Sequence, residues 1–556
     1  MSRVFSTWLR RQGTALVVLV ALSPLSPQAQ TLIENVHGYT MKGGERVTFT
    51  AMAFDRGLVT AIYTDPQEAA TATVARRIDG AGATLLPGLI DAHGHVTRHG
   101  RLLASVDLAG VASEQAAAAQ VADYLRTQPG AARVTGGGWN QVLWPGRRFP
   151  HRRTLDAISE SVPIALSRVD RHALWVNSAA LALADIDGDT PDPAGGQIVR
   201  DADGQPTGVL IDNAMQLVLG AFPSEAPAVI ATHQSRALQD LARLGITGVH
   251  DAGVTADELT AYRSLLARAA LPIRVYAMLR PDNDALLAEG PHVDRSGMLA
   301  AQSVKISSDG ALGSRGAALE EDYADEPGHR GLLLLEERVL AETMRRAARA
   351  GFQVNTHAIG DRANRLVLDV LEQMRTEDGD AGLRHRVEHA QILRPQDLQR
   401  FAALGVIASI QPTHATSDMN MAADRLGDER LEAAYAWQSL LESGARLAGG
   451  SDFPVEHPNP FYGLYSAVTR QDQADEPPGG WLPTQKMTRD AALALFTEGA
   501  AFAGHAEDRV GRLLPGYAAD FILVRDDYFQ IPQADIWKNQ VLSTWVAGEK
   551  VYDAGD

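Results

Sequence analysis

The sequence predicts an α/β protein: a (β/α)8 barrel of TIM type, a small β-sandwich domain built from both chain ends, and a subdomain inserted after the first barrel strand. Three observations predict this. Short apolar runs alternate with Ala/Leu/Arg-rich segments of helical period for over two hundred residues, as parallel strands with crossover helices require. Both chain ends have the texture of short antiparallel strands. About 140 residues separate the first barrel strand from the second, too many for an ordinary βα loop.

The chain opens with Arg3, Arg10 and Arg11, an apolar run from about Ala15 to Leu22, and Pro and small residues near Ala29. This order predicts a signal peptide over 1–29, too short to stay in a bilayer, and a periplasmic or secreted protein with no stable membrane association after cleavage. Next, "TLIENVHGYTMKGGERVTFTAMAFDRGLVTAIYTD" is rich in Val, Thr, Ile and Phe with turns at "KGGE" and "DRG". Near the C-terminus "DFILV" and "STWVAG" read as strands and "AGE" as a hairpin turn. Residues 30–86 and 507–556 are therefore expected to form one sandwich domain around a barrel at 87–506.

"LLPGLIDAHGH" supplies the first barrel strand, "GITGVHDAG" the second, and "IRVYAML", "SVKISSDG", "FQVNTHAIGD", "RHRVEHAQ", "GVIASIQPTH" and "ARLAGGSDFPVE" the rest. "ADELTAYRSLLARAAL", "LAETMRRAARAG", "ANRLVLDVLEQMR", "RPQDLQRFAALG" and "RLEAAYAWQSLLESG" read as the helices between them. A doubly wound sheet is the alternative, but no Gly-rich phosphate turn supports it. The insertion, about 101–240, holds three of the eight tryptophans, which suits either a substrate wall or buried packing.

The net charge of −17 argues against nucleic acid as a partner, since no basic block could neutralise phosphates. The absence of cysteine excludes disulfides, thiolate ligands and a Cys nucleophile. No GxSxG stretch suggests a serine hydrolase. Any metal must take His, Asp, Glu, Lys-derived or water ligands.

Barrel active sites lie at the C-terminal ends of the strands. There the first strand ends in His93 and His95, the fourth carries Lys305, the fifth ends in His357, the sixth in His389 and the eighth in Asp452. This set is rich in ligands for Zn²⁺ and similar ions. "HRVEH" also matches the inverted zinc-peptidase pattern, which needs a helix. Pro395 sits well for a helix N-terminus only beyond it, so "HRVEHAQI" reads as a strand, with Glu388 pointing away from His389 and not acting as catalytic base.

The ordered set, with "LPGLIDAHGH", "GGGWN", "VKISSDGALGSRGAAL", "THAIGD", "RVEHAQ", "GGSDFPV" and "LPGYAADFILV", resembles the amidohydrolase superfamily, and more narrowly its amidohydrolase-3 (YtcJ-like) branch. The resemblance covers nearly the whole mature chain. It implies one or two divalent ions, most often zinc, held by His93, His95, His357, His389 and Asp452. It places Lys305 where some members carry a lysine carbamate, formed with carbon dioxide, bridging two ions.

The activity expected is hydrolysis of a carbon–nitrogen, amide-type bond in a small molecule, such as an N-formyl or N-acyl amine, by a metal-activated water. Asp452 is the proton shuttle and Lys305 the second catalytic candidate. Alternatives are deamination or cyclic-amide ring-opening at the same site, or a non-catalytic metal-binding or scaffold role. Trp139, His172, Ser314, Arg315 and His414 are candidate substrate-binding residues, with Asp170 and Arg171 beside His172. Arg315 could clamp a carboxylate or lock its own loop. A homo-oligomer is compatible with the sequence.

Overall fold

The computed structural model describes residues 30–42, 44–168, 173–193, 196–379 and 381–555. The expected signal peptide, and Asp170, Arg171 and His172, lie outside the described residues.

Eight parallel strands follow one another around the barrel: β1 (Leu89–Gly94), β2 (Ile246–Val254), β3 (Arg274–Leu279), β4 (Leu299–Ser307), β5 (Gln353–Ala358), β6 (Arg386–His389), β7 (Ile407–Ile410) and β8 (Arg446–Gly449). Most are short and largely apolar, β6 with Arg386, Glu388 and His389 being the exception, and β1, β6 and β7 are buried along their whole length. β1 and the loop after β8 close the ring by one bridge, Gly94 to Phe453, and by Asp91, whose carboxylate accepts from Ser451 Oγ at 2.7 Å. The "HRVEH" stretch is a strand, as its context predicts.

The helices lie where the periodicity puts them. Ala256–Ala267 starts at a Thr255/Glu258 capping box and buries Leu259, Ala261, Tyr262 and Leu265 against the barrel. Asp361–Asp378 buries a long apolar stripe from Ala363 to Met374. "RLEAAYAWQSLLESG" yields only a short helix, Trp437–Glu442. The segment before it is drawn onto the loop after β6 by the Tyr435 N–H, which donates to the Gln391 carbonyl at 2.6 Å. Tyr435 there adopts φ 52°, which no helix continues through.

Both chain ends meet in one eight-stranded sheet. Thr84–Pro87 pairs antiparallel with Phe521–Val524, whose neighbour Val541–Val546 forms the expected hairpin with Glu549–Asp553. Phe49, Phe54, Phe521 and Trp545 fill its core, with the Phe521 and Trp545 rings stacked at 5.2 Å.

The insertion has its own six-stranded sheet, from Val106–Asp107 to Pro206–Asp212. The helix Pro227–Arg243, at the end of the expected insertion, packs its Ile230, Leu238 and Leu241 into the barrel core. Among the described residues no helix is long and apolar enough to cross a membrane.

Candidate metal centre

β1 carries His93 near its end, and His95 follows at the N-cap of helix Val96–Leu103. Gly94 separates them because a Cβ there would stand 2.1 Å from the Phe453 ring. Gly450 is excluded from substitution in the same way, 2.5 Å from His93 N. These close approaches let the loop after β8 zip onto β1: the Asp452 N–H donates to His93 O at 2.7 Å, and the His95 N–H to Phe453 O at 2.9 Å. Asp452 adopts φ 58°, a left-handed conformation that L-residues rarely hold outside functional sites.

The result is a compact donor set. His93, His95 and Asp452 each bring one ligand atom within 4.8 Å of the others. Asp452 Oδ1 stands 3.1 Å from His95 Nε2 and 3.6 Å from His93 Nε2. The remaining candidates adjoin it. The His389 ring centroid is 5.0 Å from that of His93 and 4.5 Å from that of His357, and His414 stacks on His389 at 5.8 Å. His389 reaches this centre because its φ of 76° swings it off the strand alternation.

Partners behind the rings fix which nitrogen faces inward. His93 Nδ1 donates to Glu388 Oε2 at 2.5 Å, His95 Nδ1 to the Ala252 carbonyl at 2.9 Å, and His389 Nδ1 to Gln411 Oε1 at 2.7 Å. A neutral imidazole with Nδ1–H bonded outward leaves the Nε2 lone pair for a cation. Burial keeps the rings neutral. It pushes His93 down despite Glu388 and Asp452, takes His389 well below the usual range, and with the Lys305 charge takes His357 down to about 3. Burial alone would raise the Asp452 carboxyl, but a proton donated by His95, and then positive charge at His93, His389 and His414, would hold it well below the ordinary carboxylate range. Where the rings are neutral, a cation at the same place supplies that charge.

Asp452 Oδ1, His357 Nε2 and His414 Nε2 are buried without a hydrogen-bond partner. His357 Nε2 lies 3.4 Å from Asp309 Oδ1, but Asp452 Oδ1 and His414 Nε2 stand unanswered beside neutral imidazoles, and such atoms are what a divalent cation satisfies. The residues therefore fit one.

Lys305 lies on β4 two residues before Ser307, which is in register with His357. Burial pushes its amine down, against the pull of Glu388 and Asp452. Asp309 is not its hydrogen-bonded partner: that carboxylate accepts from the backbone N–H groups of Ala318, Ile359 and Gly360, and burial raises it to about 7.

Of the candidate substrate-binding residues, His414 alone among those described joins the centre, its Nε2 3.9 Å from Asp452 Oδ2. Trp139 is fully buried in the insertion's core, its indole N–H donating to Leu166 O at 2.7 Å, which is the packing alternative of the two its position offers. Arg315 locks its loop through Asp325 at 2.8 Å and Glu326 at 3.1 Å instead of offering a free fork. Ser314 is exposed, its hydroxyl on Ala311 O.

Sequence reasoning missed four groups. Asp91 accepts from the His93 N–H and from Ser451, and burial pushes it up to about 7. Asp251 takes the Val96 N–H at 2.9 Å and so anchors the helix behind His95. Gln411 holds His389. Arg386 pairs with Glu388, which does not simply point away: strand alternation aims it into the barrel beneath His93, while the positive φ brings His389 in above. A charged pair at i and i+2 inside a short barrel strand was the available signal.

A parallel barrel whose C-terminal mouth gathers imidazoles and a carboxylate around one point defines a metal-dependent hydrolase type of centre. The chain belongs to the amidohydrolase family, whose model matches residues 76–552. It is 33% identical over 483 residues to a putative amidohydrolase, YtcJ, of Bacillus subtilis (strain 168), covering 85% of this chain and 89% of that one. It is 29% identical over 502 residues to the N-substituted formamide deformylase of Arthrobacter pascens, covering 87% and 91%. A crystal structure of an uncharacterized metal-dependent hydrolase from Pyrococcus furiosus superimposes with a TM-score of 0.76 at 27% identity, over 90% of this chain and 100% of that one. The protein is a hydrolase of this family.

Proposed function

We propose that this hydrolase cleaves a carbon–nitrogen, amide-type bond in a small molecule, an N-formyl or N-acyl amine being the substrate class favoured. The observation behind this reading is the His93–His95–Asp452 donor set at the barrel mouth, in which Asp452 Oδ1 is buried without a hydrogen-bond partner. The relative named as an N-substituted formamide deformylase supports the bond type. His93, His95 and Asp452, with His357 and His389, would hold one or two zinc ions. Such an ion polarises a carbonyl and lowers the pKa of water toward neutrality.

The chain's own groups supply the rest. The Asp452 carboxylate accepts the proton of the attacking water and returns it to the leaving nitrogen. His414, neighbouring Asp452, faces the same space and can orient the substrate carbonyl. Lys305, with its amine depressed by burial and no hydrogen bond among the described residues, is suited to carbamate formation with carbon dioxide.

The test is metal analysis of the purified protein, followed by a panel of N-formyl and N-acyl amines. Stoichiometric zinc and release of formate or another acid are expected, and an ion-loaded protein that cleaves no member would sink the reading. Ammonia as product would instead mark deamination. Lys305→Ala should lose ion and activity, with partial rescue by an added short carboxylic acid. Export follows from the charge and hydropathy order of residues 1–29. Protein from cells is expected to begin near residue 30, and intact Met1 would refute this.

A further inference from the structure

The layer beneath the candidate metal centre is polar, where barrel interiors are usually packed with branched apolar side chains. Arg386 and Glu388 are both fully buried there. The guanidinium spans four strands. Its Nε donates to Glu388 Oε1 at 2.7 Å, and its Nη2 to Glu388 Oε2 at 2.9 Å, Ala92 O at 2.8 Å and Ser409 Oγ at 2.9 Å. Its Nη1 donates to His250 Nδ1 at 2.9 Å.

So β1, β2, β6 and β7 are tied to one cation, and that cation fixes one carboxylate. Glu388 Oε2 then takes the His93 Nδ1–H at 2.5 Å. A buried ion pair is a poor way to gain stability, because desolvation offsets most of the attraction. What this pair does achieve is orientation. His95 and His389 rest on neutral acceptors, Ala252 O and Gln411 Oε1; His93 alone of the three rests on an anion. A carboxylate behind a ligating imidazole fixes its tautomer and raises the basicity of the opposite nitrogen.

We propose that Glu388, braced by Arg386, is a positioning residue that aims His93 Nε2 at the centre and makes His93 the strongest imidazole donor there. The inference rests on the metal-centre reading above.

The test compares wild type, Glu388→Gln and the double variant Arg386→Met/Glu388→Gln by competition between the apoprotein and a chelator for Zn²⁺, with thermal midpoints of each apoprotein. The double variant removes both charges at once, so a fold lost in the single variant through an unpaired guanidinium survives in the double one. About ten- to a hundred-fold weaker zinc binding is expected in whichever variant folds, at an apo midpoint close to wild type in the double variant. A purely structural role would move the midpoint and leave the affinity. Wild-type zinc affinity in a folded variant overturns the positioning role while leaving the metal centre standing. Failure of the wild type itself to bind zinc overturns both.

Discussion

Trp139 and Trp175 in the insertion are as deeply buried as His93 and His389 at the barrel mouth, and their neighbours differ in kind. The indoles pack on one another, with Trp139 and Trp144 centroids 6.0 Å apart and Trp139 and Trp175 6.4 Å apart. The Trp139 and Trp144 N–H groups end on backbone carbonyls inside the subdomain. The histidines instead have one nitrogen satisfied from behind and the other aimed at a shared space. Burial in the first region completes a core; in the second it keeps imidazoles neutral and leaves polar atoms unanswered. Neither burial nor a single unanswered polar atom therefore separates a structural residue from a functional one, since the Trp175 indole N–H is also buried without a partner. What sets the barrel mouth apart is several imidazoles and a carboxylate gathered around one space.

The comparison is broken most sharply at Asp452. Asp452→Asn is expected to keep the fold and the histidine set and to lose about a hundred- to ten-thousand-fold in kcat, the range for a general acid–base group. Steady-state kinetics with ion content measured on the same sample decide this. Near wild-type turnover at full ion content would remove Asp452 from proton transfer.

Trp139→Ala makes the opposite cut. Emptying a fully buried indole site costs about 3–5 kcal/mol of stability. The loss should register in the urea transition of the insertion and leave ion content unchanged. A variant of wild-type stability with a raised KM would return Trp139 to a substrate wall and undo the contrast between the regions.

Gly94→Ala tests how the two ends of the barrel share the centre. The added methyl meets the Phe453 ring and should cost about 1–3 kcal/mol, as overpacking does. Unlike Trp139→Ala it should also weaken ion binding, because Phe453 O holds the His95 N–H. Phe453→Leu in the same chain should recover part of both losses.

Much of this was legible in the sequence, for a stated reason. Barrel strands are apolar runs, so a His, Lys or Asp at the end of one stands out, and His93, His95, His357, His389 and Asp452 do gather at one mouth. The pairing of the chain ends followed from strand texture. What periodicity does not encode is backbone departure from it. The φ of 76° at His389 and 58° at Asp452 turns these side chains inward, and strict alternation therefore misjudged how Glu388 and His389 relate. Nor does sequence tell an indole that lines a cleft from one that fills a core. Arg315 shows the same limit: its partners Asp325 and Glu326 are ten and eleven residues on, and only the loop's course brings them to it.

The smallest effect expected is at the seam between the two regions. Glu225, in the segment that returns from the insertion, accepts from Arg101 of the barrel's first helix at 2.9 Å and from Arg133 of the insertion at 2.6 Å, with His233 at 3.6 Å. His233, and then Arg101 against the opposing effect of burial, hold its carboxyl down to about 2 from the usual 4.5. A carboxyl depressed on folding stabilises the native state above its unfolded pKa, and that stabilisation fades as pH falls through the folded value. The whole shift at about 1.36 kcal/mol per pKa unit would be about 3.4 kcal/mol. Arg101 is 43% exposed, so solvent screens the pair and about 1–2 kcal/mol is the realistic size. Glu225→Gln should therefore lower the denaturation midpoint at pH 7, and the gap from wild type should close between pH 5 and pH 2. Because the seam lies outside both cores, ion affinity and the Trp139 environment should stay as in wild type. A gap that is independent of pH would mean that Glu225 acts by shape and hydrogen bonding alone, and that charge does not join the insertion to the barrel.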